Sequence, residues 1–190
     1  MTMTDRVEVH PLTPDRWPDL EALFGRSGAW GGCWCMWFRK RRSEIDRSTS
    51  AQNKAGLKAQ VDAGEPPGLL AYVGGEVAGW VSLDPREKFS HLEHSRKLAR
   101  FDDKPVWSIV CFVVGRRFRK QGLMSALLDA AVAYAGEHGA QTVEAYPIAS
   151  SGDLTGFEGF TGVAGTFRKA GFVEVKRVSD KQVMMRKEVR

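Results

Sequence analysis

The stretch RRFRKQGLMS, residues 116–125, combines four cationic side chains with one glycine directly before an apolar helical pattern. A helix that begins here leaves its first main-chain N–H groups unpaired at the positive end of its dipole. Such a terminus suits a phosphate or pyrophosphate, and Gly122 lets a ligand approach the main chain closely. Arg and Lys side chains would add charge-assisted partners. The residues alone leave open a solvated basic turn and a nucleic-acid patch.

Two nucleotide-binding classes are excluded by the spacing of this stretch. The segment GRRFRKQG is not followed by Lys and Ser or Thr, as a phosphate-binding loop of nucleoside triphosphatases requires. It also lacks the three-glycine fingerprint of dinucleotide-binding folds.

A second candidate for chemistry is the pair Glu144 and Tyr146 in TVEAYP. Residues two apart on a strand point to one face, and this strand is expected to be largely buried. Burial would raise the carboxyl pKa toward the range of a general base, with Tyr146 as a proton donor. The alternative is a Glu satisfied by an Arg or by main-chain groups. Asp84 is a weaker candidate base.

The cysteines do not indicate a metal site or a disulfide. Cys33 and Cys35 are too close in sequence for an easy structural bridge, and CWC gives a poor spacing for zinc. Cys111 lies in an apolar strand, where a thiol is more often inert core than nucleophile. We expect three reduced thiols and no bound metal.

The predicted elements place the basic stretch between a strand and a helix. VWSIVCFVV, residues 106–114, has the continuous apolar pattern of a central strand, and from Gln121 the pattern is helical until the glycines at 136 and 139. Residues 69–73 and 77–83 predict a hairpin about Gly74-Gly75. The connection from 86 to 105 is long enough for a flap, a short surface helix or a solvated excursion.

The whole chain predicts the order β-α-α-β-β-β-α-β-α-β-β. The fold class is therefore α/β (α+β): a single mixed, mostly antiparallel sheet with a central parallel strand pair, flanked by helices. A length of 190 residues with 43% hydrophobic content fits one domain over 1–190. No apolar run is long enough to span a bilayer, so we expect no membrane partner and a cytoplasmic location.

The segment CFVVGRRFRKQGLMSALLDAAVAYA resembles the acetyl-CoA-binding motif of the GCN5-related N-acetyltransferase (GNAT) superfamily. That motif has Arg or Gln, two residues, Gly, one residue, then Gly or Ala at a helix start. Arg119 and Gly122 fit, whereas Met124 departs from the small residue. TFRKAGF resembles the superfamily's C-terminal FYxKxGF segment, with Phe167 in place of the Tyr that often protonates the departing thiolate.

The resemblance implies acetyl-CoA as cosubstrate and direct transfer without an acyl-enzyme. Main-chain groups on the strand would bind the pantetheine arm, and the amides from Lys120 to Ser125 would bind the pyrophosphate. The expected cofactor-binding residues are Phe112, Val113, Val114, Arg119, Lys120, Gln121, Gly122, Leu123, Met124, Ser125 and Phe167.

The resemblance also gives the aromatic segment after the first helix a location beside the acceptor. Trp30, Trp34, Trp37 and Phe38, together with Trp80, would form a wall suited to a flat or cationic amine. The acceptor would enter between this segment and the connection from Pro85 to Pro105. The alternative is that these aromatics are core or a homodimer contact.

The expected function is acetyl transfer to a primary amine of a small molecule, with Glu144 and Tyr146 as catalytic residues. The alternatives are a protein or tRNA-linked amine as acceptor, and a non-catalytic acyl-CoA sensor or nucleic-acid-binding module. The net charge of +5 is mildly basic and does not decide between them. We expect nucleic acid not to be the partner.

Overall fold

The computed structural model describes residues 7–149 and 159–189, and within them one mixed sheet carries the fold. The strands are β1 (Val7–Pro11), β2 (Gly68–Val73), β3 (Glu76–Pro85), β4 (Trp107–Val114), β5 (Thr142–Ala145), β6 (Val173–Ser179) and β7 (Gln182–Glu188). The helices are α1 (Trp17–Phe24), α2 (Arg42–Ile45), α3 (Ser50–Asp62), α4 (Ser90–His94), α5 (Leu123–Glu137) and α6 (Ala164–Lys169).

The sheet has the order β1-β2-β3-β4-β5-β7-β6, and its pairs are antiparallel except for β4 and β5. This confirms the predicted fold class. The hairpin of β2 and β3 turns at Gly74 and Gly75, whose φ values of 59° and 80° are left-handed. Glycine adopts that conformation without a steric penalty, which is why the Gly-Gly pair predicts the turn.

Two apolar clusters lie on opposite faces of the sheet. On one face α5 packs through Leu127, Leu128 and Ala131, all fully buried, as the apolar helical pattern predicts. On the other face α1 and the Trp/Cys-rich segment pack over β3 and β4. Successive β4 side chains alternate between the faces, so Phe112 belongs to the first cluster and Cys111 to the second.

The parallel pair is short, and this opens the sheet at its centre. β4 and β5 pair only at residues 107–109 and 143–145, although β4 continues to Val114. Beyond that point the strands separate, and residues 110–114 have no strand partner on the β5 side within the described chain. The unpartnered edge of a central strand is therefore available to a ligand.

The connection from 86 to 106 is more ordered than a solvated excursion. It contains a 3-10 turn at Arg86–Lys88 and the helix α4. Phe89 and Leu92 in this connection are fully buried. The expectation of a short helix is thus met, but that helix is anchored in the core.

Gly68 begins β2 where no side chain fits. A Cβ at this position would lie 2.2 Å from the Val81 carbonyl oxygen and 2.6 Å from the Trp80 ring. We expect Gly68→Ala to lower the free energy of unfolding by about 2–3 kcal/mol, because the backbone must shift. Gly165→Ala in α6, where nothing lies within 4 Å, is the matched control and should raise stability slightly. Denaturant unfolding of both variants measures the difference; equal values would contradict the steric account.

No helix among the described residues is long and apolar enough to cross a membrane.

Candidate functional site

A groove of about 940 Å³ opens along the unpartnered edge of β4 and over the start of α5. It is bounded on one side by the end of α1 and the residues after it, and on the other by residues 159–166. Its lining residues are Leu23, Phe24, Ser27, Ala29, Trp30, Phe112, Val113, Val114, Gly115, Arg116, Phe118, Arg119, Lys120, Gly122, Leu123, Met124, Ser125, Gly159, Phe160, Val163 and Thr166.

The open edge of β4 offers main-chain groups to this groove. Gly115 N–H bonds the Ala78 carbonyl on β3 at 2.9 Å, and N–H groups alternate in direction along a strand. The N–H groups of Phe112 and Val114 therefore point away from β3, into the groove. The Phe112 N–H donates to the Phe160 carbonyl at 2.7 Å. A polar, extended ligand could pair with this edge as a strand does.

The start of α5 forms a cradle of main-chain donors. Lys120 and Gly122 both have left-handed φ values, 61° and 82°, and Gly122 caps the helix. A non-glycine residue in this conformation is uncommon and clusters at functional sites. The main-chain N–H groups from Lys120 to Met124 find no hydrogen-bond partner in the described parts of the chain. At the positive end of α5 they can hold a phosphate or pyrophosphate.

Three of the four cations in this stretch are available to an anion. Arg117 pairs with Glu76 and lies over the Phe118 ring, so its charge is engaged outside the groove. Arg116, Arg119 and Lys120 line the groove without an acidic partner among the residues described. Arg119 Nε donates to the Val114 carbonyl at 3.2 Å, which ties the turn to the strand edge.

Met124, which departs from the motif, does not obstruct the cradle. Its side chain turns toward Gly162, where its methyl carbon lies 2.3 Å from the point that a Cβ would occupy. It packs partly buried against the apolar cluster around α5. The absent side chain at Gly162 therefore makes room for the larger residue at 124.

The structure brings most of the expected cofactor-binding residues to the groove. The residues that line it are Phe112, Val113, Val114, Arg119, Lys120, Gly122, Leu123, Met124 and Ser125. Gln121 is exposed, and its side chain donates to the Arg117 carbonyl at 2.6 Å rather than entering the groove. Phe167 is fully buried against Phe112 and Phe172, so it packs beneath the groove.

Except for Trp30, the residues of the two flanking walls of the groove were not predicted from the sequence. Residues 23–30 and 159–166 reach it through contacts with β4 that no local pattern encodes. The glycines at 25, 28, 31 and 32 do indicate the first of these walls in the sequence. All four have positive φ, and they form an irregular segment after α1. Such a segment can follow a ligand surface more closely than a helix can.

The aromatic segment divides between core and groove. Trp80 and Trp34 are core residues: Trp80 is fully buried and donates from Nε1 to Cys35 Sγ at 3.1 Å, and Trp34 stacks on Trp17. The expectation that these two form a substrate wall is corrected, because neither lines the groove. Trp30, Trp37 and Phe38 do reach a narrow slit at its inner end.

This slit is lined by Trp30, Cys33, Cys35, Trp37, Phe38, Cys111 and Phe160, and its free volume is about 10 Å³. It shares Trp30 and Phe160 with the groove, so the slit continues the groove inward. A volume of this size holds about one water-sized group.

The expected acceptor route between the aromatic segment and the 86–105 connection is closed. His91 N–H donates to the Phe38 carbonyl at 3.0 Å, and the His91 ring packs against Phe38 and Trp37. Burial, with the nearby Arg42 charge, lowers the pKa of His91, so the imidazole is neutral at pH 7. An acceptor that used this route would have to part these contacts.

Glu144 and Tyr146 lie in a fully buried ionic cluster beside the groove, not in its wall. Arg86 binds Glu144 Oε1 and the Tyr146 hydroxyl, both at 2.8 Å. Arg186 binds Glu144 Oε2 at 2.7 Å. The Tyr146 hydroxyl donates to Glu144 at 2.6 Å and lies 2.8 Å from Ser108 Oγ.

The cluster corrects the catalytic expectation for this pair. Arg86 also donates to Glu93, to the Leu92 carbonyl at 3.1 Å and to the Leu98 carbonyl at 2.6 Å, so its guanidinium is fully used. Burial and the Glu144 charge raise the pKa of Tyr146, which keeps its proton. Neither side chain is accessible to a substrate, and the alternative of a Glu satisfied by Arg fits the geometry.

Asp84, the weaker candidate base, is also engaged. Its carboxylate accepts from Arg39 at 2.7 Å and from Gln60 at 2.9 Å. Arg39 and Asp84 side chains are 4% and 5% exposed, so the pair is a structural contact away from the groove.

Two of the thiols at the slit, Cys33 and Cys111, are protonated at neutral pH because their pKa values are raised. Burial raises the pKa of Cys33 to about 11, and a hydrogen bond with Cys35 together with burial raises that of Cys111. Since the thiolate is the reactive form, native Cys33 should react with a disulfide reagent at pH 8 on the order of 100-fold slower than a free cysteine. A colourimetric thiol assay before and after unfolding measures this. A thiol of the folded protein that reacted as fast as free cysteine would contradict the raised pKa values.

The described residues contain no cluster of His, Cys, Asp and Glu that could hold a metal ion.

A protein-family profile matches more than half of the chain. The sequence profile of the acetyltransferase (GNAT) family matches residues 33–151, which include β4, the basic turn and α5. No curated protein sequence gives a match to the chain.

Solved structures share the fold over nearly the whole chain. One titled histone acetyltransferase HPA2 and related acetyltransferase, from Corynebacterium glutamicum, is 22% identical, with 97% of each chain covered and a TM-score of 0.57. A GNAT-family acetyltransferase from Streptococcus pneumoniae is 17% identical over 97% of this chain and 99% of that one, with a TM-score of 0.54. PaiA N-acetyltransferase from Thermoplasma acidophilum, in complex with coenzyme A, is 12% identical over 96% and 98%, with a TM-score of 0.54.

Proposed function

The chain belongs to the acetyltransferase (GNAT) family, and from that membership we propose that it transfers the acetyl group of acetyl-CoA to a primary amine of a small molecule. Acetyl transfer is the general chemistry of the family. The cosubstrate, the acceptor class and the residues that bind them are the parts that we propose.

The observation that carries the proposal is the row of unpaired N–H groups from Lys120 to Met124 at the start of α5. A pyrophosphate that binds there satisfies main-chain donors that otherwise depend on water. Arg116, Arg119 and Lys120 would add charge, which suits the phosphates of coenzyme A. The pantetheine arm would then run along the open edge of β4.

We propose that the Phe112 N–H binds the thioester carbonyl. An N–H at this place would polarise the carbonyl and stabilise the oxyanion that forms when an amine attacks. Because the Phe160 carbonyl now accepts from this N–H, binding would exchange one carbonyl for the other. The bond from the amine nitrogen to the acetyl carbon forms and the carbon–sulfur bond breaks. The proton that the amine nitrogen loses is balanced by the one that the sulfur gains, so coenzyme A leaves as the thiol.

A small acceptor is favoured over a protein or tRNA-linked amine by the contacts between the aromatic segment and the 86–105 connection. The His91 N–H donates to the Phe38 carbonyl at 3.0 Å, and the His91 ring packs against Phe38 and Trp37. A macromolecular acceptor would need a broad cleft here, whereas a small amine requires only a local opening of these contacts.

The experiment measures coenzyme A release from acetyl-CoA in the presence of a panel of amines, beside the acetyl-CoA-dependent shift in melting temperature. A saturating ligand at 100 times its Kd stabilises a protein by about 2.7 kcal/mol, so a shift of several degrees is expected. No shift at millimolar acetyl-CoA would overturn the proposal. A shift without thiol release for any amine, peptide amines included, would assign the chain to acyl-CoA sensing.

We further propose that residues 1–190 form a single domain in the cytoplasm. One sheet contains every strand of the described chain, and all three cysteines are free thiols. Free thiols are usual in reducing compartments.

A further inference from the structure

We infer that the slit at the inner end of the groove selects the acyl group by size, accepting acetyl and rejecting propionyl and longer chains. This inference rests on the proposed use of acyl-CoA. It concerns the acyl chain of the thioester and assigns a role to the cysteines at 33, 35 and 111.

The position of the slit places it at the end of the acyl chain. The Phe112 N–H lies on the open edge of β4, beyond Ile109, where pairing with β5 ends, and it donates to the carbonyl of Phe160, which lines both the groove and the slit. The neighbouring residue, Cys111, lines the slit. We expect a thioester carbonyl held by the Phe112 N–H to lie where the groove meets the slit, with its methyl group next to Cys111.

The slit is so small that a methyl group is the largest acyl tail that we expect it to accept. Its free volume of about 10 Å³ corresponds to one water-sized group. Its lining is sulfur and aromatic carbon without a charged side chain, an environment that favours a methyl over water. A propionyl group would place its additional methyl carbon against this lining.

Hydrogen bonds and packing contacts fix the lining on several sides, so widening the slit would disrupt them. Cys35 Sγ accepts from Trp80 Nε1 at 3.1 Å and lies 3.6 Å from Cys111 Sγ. Cys35 itself has a left-handed φ of 55°, held by the packed segment around it. Phe38 packs against the Phe160 ring and is 4% exposed. Forcing one more carbon atom into a packed lining usually costs affinity.

The experiment compares the dissociation constants of acetyl-CoA, propionyl-CoA, butyryl-CoA and coenzyme A for the whole chain by titration calorimetry. Propionyl-CoA should bind about 10-fold more weakly than acetyl-CoA, and butyryl-CoA more weakly still. Equal constants for the three thioesters would overturn the inference while leaving the proposed function intact. Failure of all four compounds to bind would overturn both.

Variants of the slit cysteines test whether the slit is the feature that selects the acyl group. Cys111→Ala removes one sulfur from the lining and should bring the propionyl-to-acetyl ratio close to 1, whereas Cys111→Ser, of nearly the same size, should retain the discrimination. Cys35→Ala is a second enlargement if Cys111→Ala folds poorly, and melting curves check each variant. Discrimination as strong in folded enlarged variants as in the parent would show that another feature selects the acyl group, and would overturn the inference.

Discussion

Gly122→Asp should weaken acetyl-CoA binding by about 100-fold, equivalent to about 2.7 kcal/mol, without unfolding the protein. Gly122 caps α5 with a φ of 82°, and a Cβ there would meet nothing within 4 Å. The new carboxylate would stand among the N–H groups that we assign to the pyrophosphate. Like charges about 4 Å apart near a protein surface repel by about 4 kcal/mol, which screening in the open groove reduces.

The matched control for this prediction is Gly122→Asn. Asn and Asp both adopt the left-handed conformation and have nearly the same shape, so they differ mainly in charge. Binding by the Asn variant within about tenfold of the parent would isolate the electrostatic effect. Both dissociation constants come from calorimetry, with melting curves as the check on folding. Equal loss in the two variants would indicate that backbone conformation, not charge, decides binding.

Glu144→Gln should lower the free energy of unfolding by about 3–5 kcal/mol. The carboxylate is fully buried between Arg86 and Arg186, and removing its charge leaves two guanidinium groups uncompensated in the interior. Urea unfolding followed by fluorescence measures the change. The effect is large because the penalty falls on the partners that remain, not on the lost contact alone.

Two comparisons distinguish this structural role from a catalytic one. Glu93→Gln removes a carboxylate that also binds Arg86 but is 26% exposed, and it should cost much less, about 1 kcal/mol. Tyr146→Phe removes one buried hydroxyl and should cost about 1–2 kcal/mol. If the Glu144 variant kept its stability and lost only turnover, this result would support a catalytic role for Glu144.

The sequence predicted the elements that obey local rules. The apolar run of β4, the helical pattern of α5 and the Gly-Gly turn each follow from side-chain periodicity or backbone freedom. The basic turn before α5 was identified for the same reason, since a strand, a turn and a helix start are adjacent in the chain. Nearly all of its residues line the groove.

The misassigned residues depend on contacts between distant parts of the chain. Glu144 on β5 and Tyr146 just after it point the same way and are in contact, but their partner Arg86 lies 58 and 60 positions earlier, in a connection without a periodic pattern. Trp34 and Trp80 were grouped with Trp30 and Trp37 because the family resemblance places the aromatic segment beside the acceptor, whereas burial separates them. Composition cannot distinguish an aromatic that fills the core from one that faces a ligand.

The Arg86 cluster also sets an order of events during folding. Arg86 fixes the connection over the sheet through two carbonyls of that connection, and its charge is balanced by Glu93 in the connection and by Glu144 on β5. Until β5 enters the sheet, one nitrogen of the guanidinium lacks the carboxylate and the hydroxyl that it binds in the folded protein, so we expect the connection to close late. Contacts of such long sequence separation form slowly because loop closure must precede them. A nascent chain that ends before Thr142 therefore lacks one of the two carboxylates that bind Arg86, and we expect the two halves of the protein to complete their folding together.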